Sequence, residues 1–111
     1  MASQAWKSVS TRGDINSGAS LTLTVASGHV YLFNSFIITE QAGQTIETVD
    51  VYIDDGGGGA DTYIYQDFAI GAKETFIHND TLALEAADHI TFTSGATCDF
   101  DVFVSYLDIT L

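Results

Sequence analysis

The chain has 111 residues, 46% of them hydrophobic, and its fifteen acids against three bases leave a net charge of −12. That length sets one domain with a single core, and that hydrophobicity excludes a disordered acidic tail. The charge excludes nucleic acid and anionic lipid as direct partners, because both need a cationic face, and it sets copies of the chain against one another unless apolar contacts, salt or divalent cations offset the repulsion.

Residues 1–12 hold Lys7 and Arg12 and no acid; residues 13–111 hold all fifteen acids and one cation, Lys73. The opening Met1-Ala2-Ser3-Gln4 has no basic region leading into an apolar run, so no signal peptide is expected and synthesis in a cytoplasm is. Ala2 to Ser10, with Trp6 and Val9, reads as a first strand or an extended arm. Thr11-Arg12-Gly13-Asp14 and Asn16-Ser17-Gly18 read as turns. Leu21, Leu23 and Val25 alternate with Thr22 and Thr24, which predicts a half-buried strand.

His29 to Thr39 is apolar on both faces. Alternation puts Val30, Leu32, Phe36 and Ile38 on one side and Tyr31, Phe33 and Ile37 on the other. A strand apolar on both faces is covered on both, yet in a two-sheet sandwich only one face meets the core. Val49, Val51 and Ile53 alternate with Asp50, Tyr52 and Asp54. Tyr63 and Tyr65 alternate with Ile64 and Gln66. Gly71-Ala72 turns into Lys73 to Ile77, and a short Leu82-Ala83-Leu84 follows; Thr81 to Asp88 is the one weak helical candidate. Ile90 and Phe92 alternate with Thr91 and Thr93. The last strand, Cys98 to Leu111, carries Phe100, Val102, Val104 and Tyr106 on one face and Phe103, Leu107, Ile109 and Leu111 on the other. Proline is absent, and no stretch approaches the ~20 apolar residues of a membrane span. Eight or nine strands at this spacing predict an all-β antiparallel sandwich of jelly-roll type over residues 1–111, with residues 1–12 as its extended arm or first strand.

Few residues suggest chemistry. Asp54, Asp55 and Asp61 flank a run of four glycines and offer oxygens to a calcium ion; their spacing does not match an EF-hand loop, and a solvated hairpin loop is the plainer reading. His29, His78 and His89 lie on three segments without zinc-site spacing. Asp99 and Asp101 share a strand face, as carboxylate pairs of glycosidases do, and as any acidic strand does on its wet side. No nucleophile-elbow motif is present. Cys98, alone, forms no internal disulfide. No cofactor is expected beyond that calcium candidate, and no enzymatic activity. The two-sided strands and the basic arm make Trp6, Lys7, Arg12, Tyr31, Phe33, Ile37, Phe103, Leu107, Ile109 and Leu111 the candidate subunit or capsid contacts.

From Leu21 to Leu111 the chain resembles small β-sandwich virion proteins of tailed bacteriophages. The likeness lies in an ordered series: Leu21 to Val25, the Ser27-Gly28 turn, the aromatic strand Val30 to Thr39, the V-x-V-x-I-D strand Val49 to Asp54, Ile70-Gly71-Ala72-Lys73-Glu74-Thr75, and Leu82 to Ile90. Two turns of that pattern read P-A-G-x-T and L-x-A-G-D-x-I; here Gly71 stands at the proline and Ala87 at the second glycine. The resemblance implies a virion protein, in the first place a homotrimeric decoration (cement) protein bound to the major capsid protein on the capsid surface. A tail-fibre or baseplate module is the nearest alternative. A calcium-dependent carbohydrate-binding module, with tyrosines stacking on sugar, is the alternative of another class.

Overall fold

In the computed structural model, residues 3–10, 15–16, 20–41, 47–55, 61–95 and 99–111 are described. They form ten strands and no helix: β1 (Ser3–Ser10), β2 (Ile15–Asn16), β3 (Ser20–Thr24), β4 (His29–Glu40), β5 (Glu47–Asp54), β6 (Thr62–Ile70), β7 (Thr75–His78), β8 (Leu82–Glu85), β9 (His89–Ser94) and β10 (Asp99–Thr110). The weak helical candidate around Thr81 to Asp88 is β8 and its turn.

Two antiparallel sheets face each other. One has the order β1-β10-β4-β7, with β2 extending the β1 edge along β10 and β8 extending the β7 edge along β4; the other has the order β3-β9-β5-β6. If β1 with β2 and β7 with β8 each count as one broken strand, eight strands remain in two four-stranded sheets, and the chain crosses between sheets at nearly every connection. This is the jelly roll. The stretch expected as an arm or first strand is a strand, paired along β10 from Ser3 opposite Thr110 to Ser10 opposite Phe103.

The core fills the space between the sheets: Phe33, Phe36, Ile38, Val49, Val51, Ile90, Phe92, Phe100, Val102 and Val104 are buried. Burying each such side chain stabilises the fold by about 1.5–3 kcal/mol. The faces of β10 are as its alternation predicts. Those of β4 are corrected in its first half. Ser35 pairs with Ser105, but Phe33 pairs with Tyr106, so Asn34 is an extra residue opposite nothing. Such a bulge shifts the alternation by one residue. Tyr31 and Phe33 therefore share the core side with Phe36 and Ile38 and are buried, so neither is available to a neighbouring molecule. Val30 and Leu32 turn outward in their place.

Three polar side chains are buried with specific partners. Glu40 accepts the backbone N–H of Lys73 at 2.9 Å, and Glu47 accepts that of Asp99 at 3.0 Å. His78 stacks on Phe36 at 4.5 Å between ring centres and bonds the Tyr65 hydroxyl at 2.8 Å.

Candidate interaction surface

The two outer faces of the sandwich differ in chemistry. On the β3-β9-β5-β6 sheet, Thr22 bonds Thr91 at 3.1 Å and Ser20 bonds Thr93 at 2.8 Å. Asp54 Oδ2 lies 3.4 Å from His89 Nε2. Tyr52 and Tyr63 sit with ring centres 5.2 Å apart, and partial desolvation, then Asp50, pushes the Tyr63 hydroxyl up. This face is wet and hydroxyl-rich.

The other outer face is built from rows that run across β1, β10, β4 and the β7/β8 edge. Directly opposite residues of antiparallel strands share a side and touch. One row reads Gln4, Ile109, Val30, Glu85; the next reads Trp6, Leu107, Leu32, Ala83. Ser105 and Ser35 form a polar row, and Phe103, Ile37, Ile77 form the row beyond it. Asp101, Thr39 and Thr75 close the face. The charged side chains, Glu85, Asp99 and Asp101, lie at its margins. Trp6 is 69% exposed, Ile77 54% and Phe103 43%. A depression of about 510 Å³ lined by Trp6, Lys7, Asn34 and Ser105 lies beside the bulge.

Of the contacts expected from sequence, Trp6, Ile37, Phe103, Leu107 and Ile109 converge on this face. Leu111, 72% exposed, caps its end. Arg12 lies outside the described residues. Lys7 lies at the sandwich edge, its Nζ 3.0 Å from Asp108 Oδ2. Val30, Leu32 and Ile77 join it unforeseen: the bulge moved the first two, and Ile77 sits on a strand too short for its alternation to reveal a face.

Asp54 and Asp61 flank residues 56–60, which lie outside the described residues. Among the described residues no three His, Cys, Asp or Glu side chains gather into a metal-holding group, so Asp54, Asp55 and Asp61 are not brought together. Among the described residues no helix is long and apolar enough to cross a membrane.

The sequence matches no protein-family model and no curated protein. The fold is similar to a Drosophila NLP core described for pentamer formation and histone binding: TM-score 0.56, 16% identity, covering 92% of this chain and 96% of that one. It is also similar to a Bacillus endospore appendage protein of disulfide-linked pili, with TM-score 0.52 and 14% identity over 99% of this chain and 88% of the other. A weaker likeness is to the coat protein of Tobacco streak virus, at TM-score 0.46 and 8% identity over 97% and 86%. At these identities the likeness is one of fold.

Proposed function

We propose that this protein is a non-enzymatic structural component of a virion, a homotrimeric decoration (cement) protein on the outer surface of a tailed-phage capsid. The observation that carries this reading is the uncharged apolar face of the β1-β10-β4 sheet on a chain of net charge −12. Copies that meet elsewhere bring carboxylate to carboxylate; copies that meet here bury Trp6, Leu107, Phe103, Ile37 and Ile77 with acids only at the rim. A standard interface buries about 1,600 Å² in total, and several across a capsomer seam hold the shell against internal pressure without any chemistry. The Drosophila core forms a pentamer and the Bacillus protein forms pili, which supports reading this fold as an assembly unit. The partners are then the chain itself and the major capsid protein.

The test is the solution mass by light scattering, followed by co-sedimentation with undecorated heads. A trimer, three times the 11.9 kDa chain, that sediments with heads and raises their melting temperature supports the proposal; a monomer that ignores heads overturns it. The pairing of exposed Tyr63 with half-buried Tyr52 favours a second reading, sugar binding on the opposite face. Glycan-array binding lost in Tyr63→Ala would move the assignment there.

A further inference from the structure

Strand β1 has an unusual standing in the fold. Its described side chains, Ser3 to Lys7, are all exposed. Among the side chains that are described, Val25 is the first fully buried one, with Leu21 and Leu23 packed against the core. Among its described side chains, Ser3 to Lys7, one pairing adds to the ladder with β10. Lys7 Nζ meets Asp108 Oδ2 at 3.0 Å, and Asp108 itself is buried at 4% exposure. His29 takes the other oxygen of Asp108 at 2.6 Å. A buried carboxylate beside an open strand edge is a register key, because it is satisfied by a cation at one ladder position and by nothing one residue either way.

We propose that β1 is an exchangeable strand: in the assembled protein it adds to β10 of a neighbouring copy, with Lys7 seated on that copy's Asp108. This rests on the homo-oligomer reading above and names how the copies are joined. Exchange keeps the whole β1–β10 ladder and the ion pair and gives up only the two β2–β10 pairs, so it costs little in contacts. Charge favours it between molecules. Residues 1–12 carry two cations and no acid, while residues 13–111 carry fifteen acids and one cation. A traded strand therefore sets a cationic segment of one copy on the acidic body of the next. Reach also allows it. Residues 11–19, with the two-residue β2 released, span up to about 30 Å when extended, against 22 Å for the short axis of the molecule. Gly13 and Gly18 lie within that link.

Opposite positions on the two strands supply the experiment. Gln4 pairs with Ile109. With Cys98→Ser as background, one chain carries Gln4→Cys and a second carries Ile109→Cys. The two are refolded together at equal amounts, oxidised and run on a denaturing gel without reductant. The expected result is a reducible band joining the two different chains, far stronger than either chain gives alone. The double variant Gln4→Cys/Ile109→Cys is then expected to close into covalent species of two or more chains. Monomers with an internal disulfide only, and no mixed band, overturn the proposal. Light scattering on the same samples separates the two readings: an oligomer with purely internal disulfides defeats exchange alone, and a monomer defeats both.

Discussion

Lys7 and Asp108 form a cross-strand ion pair at 3.0 Å between the first strand and the last. The hydrogen bond from His29, and then Lys7, hold the Asp108 carboxyl below its ordinary 3.8. The same carboxylate lifts the Lys7 ammonium above its ordinary 10.5. Stabilisation from Asp108 is therefore whole above pH 3.8 and lost as pH falls through its lower folded value; that from Lys7 is whole below 10.5 and lost as pH rises through its higher one. Asp108→Asn keeps the shape and removes the charge. Its melting temperature is expected to fall at pH 7, and to decline less steeply than the parent's between pH 4 and pH 2. Equal acid slopes in calorimetry count against the pairing.

Asn34 decides which residues of β4 face the core. Asn34→Ala changes an exposed side chain and is expected to shift stability by no more than about 0.5 kcal/mol. Deleting Asn34 removes the extra residue, so Tyr31 and Phe33 must turn outward or the ladder must slip. Losing a buried aromatic costs about 3–5 kcal/mol, and two such losses rival the whole stability of a small domain, about 5–15 kcal/mol. The deletion variant is expected to show no cooperative melt; a melt within a few degrees of the parent's contradicts the bulge.

That bulge marks where the sequence stops being legible. Period-two alternation read the faces of β10 correctly, because nothing interrupts it from Asp99 to Thr110. In β4 the apolar positions 31, 33, 36 and 38 step by three across Asn34-Ser35. The skip is visible in the sequence, but alternation alone cannot say which half keeps the phase of the core. Tertiary packing decides, since Tyr31 and Phe33 fill space against Tyr106 at 4.7 and 5.6 Å between ring centres. The buried Glu40 and Glu47 were equally hidden, because their partners are backbone N–H groups 33 and 52 residues away. The turns were legible in kind. Lys73 and Ala87 stand where the resembling pattern has glycine, and both have left-handed backbone, at φ 59° and 75°.

Ala87 therefore holds a conformation that glycine adopts without cost. Its turn is closed by the Asp88 N–H donating to Glu85 at 3.0 Å, and its own N–H donates to Val25 at 3.1 Å. Ala87→Gly keeps both bonds and relieves the Cβ, so it is expected to stabilise by about 1 kcal/mol. Lys73→Gly relieves similar strain but gives up the bond from Lys73 Nζ to the Gln41 carbonyl, so its gain should be smaller. Gly28→Ala, at φ 80°, should lose about what Ala87→Gly gains. Denaturant midpoints at constant slope measure all three.

The outer face and the core make opposite demands on phenylalanine, and one pair of variants separates them. Phe103 is 43% exposed and stands between Ile37 and the β1 edge, whereas Phe36, one ladder position along on β4, is wholly buried. Phe36→Ala opens a cavity among Phe92, Tyr65 and His78 and is expected to cost about 3–5 kcal/mol. Phe103→Glu buries nothing in a lone molecule and should melt within a few degrees of the parent as a monomer. In an assembly it places a carboxylate in the middle of the apolar face, where leaving a charge unpaired costs several kcal/mol. Since every 1.4 kcal/mol is tenfold in affinity, Phe103→Glu is expected to weaken self-association at least a hundredfold. Sedimentation equilibrium reads that loss, and an unchanged assembly would remove this face from the interface.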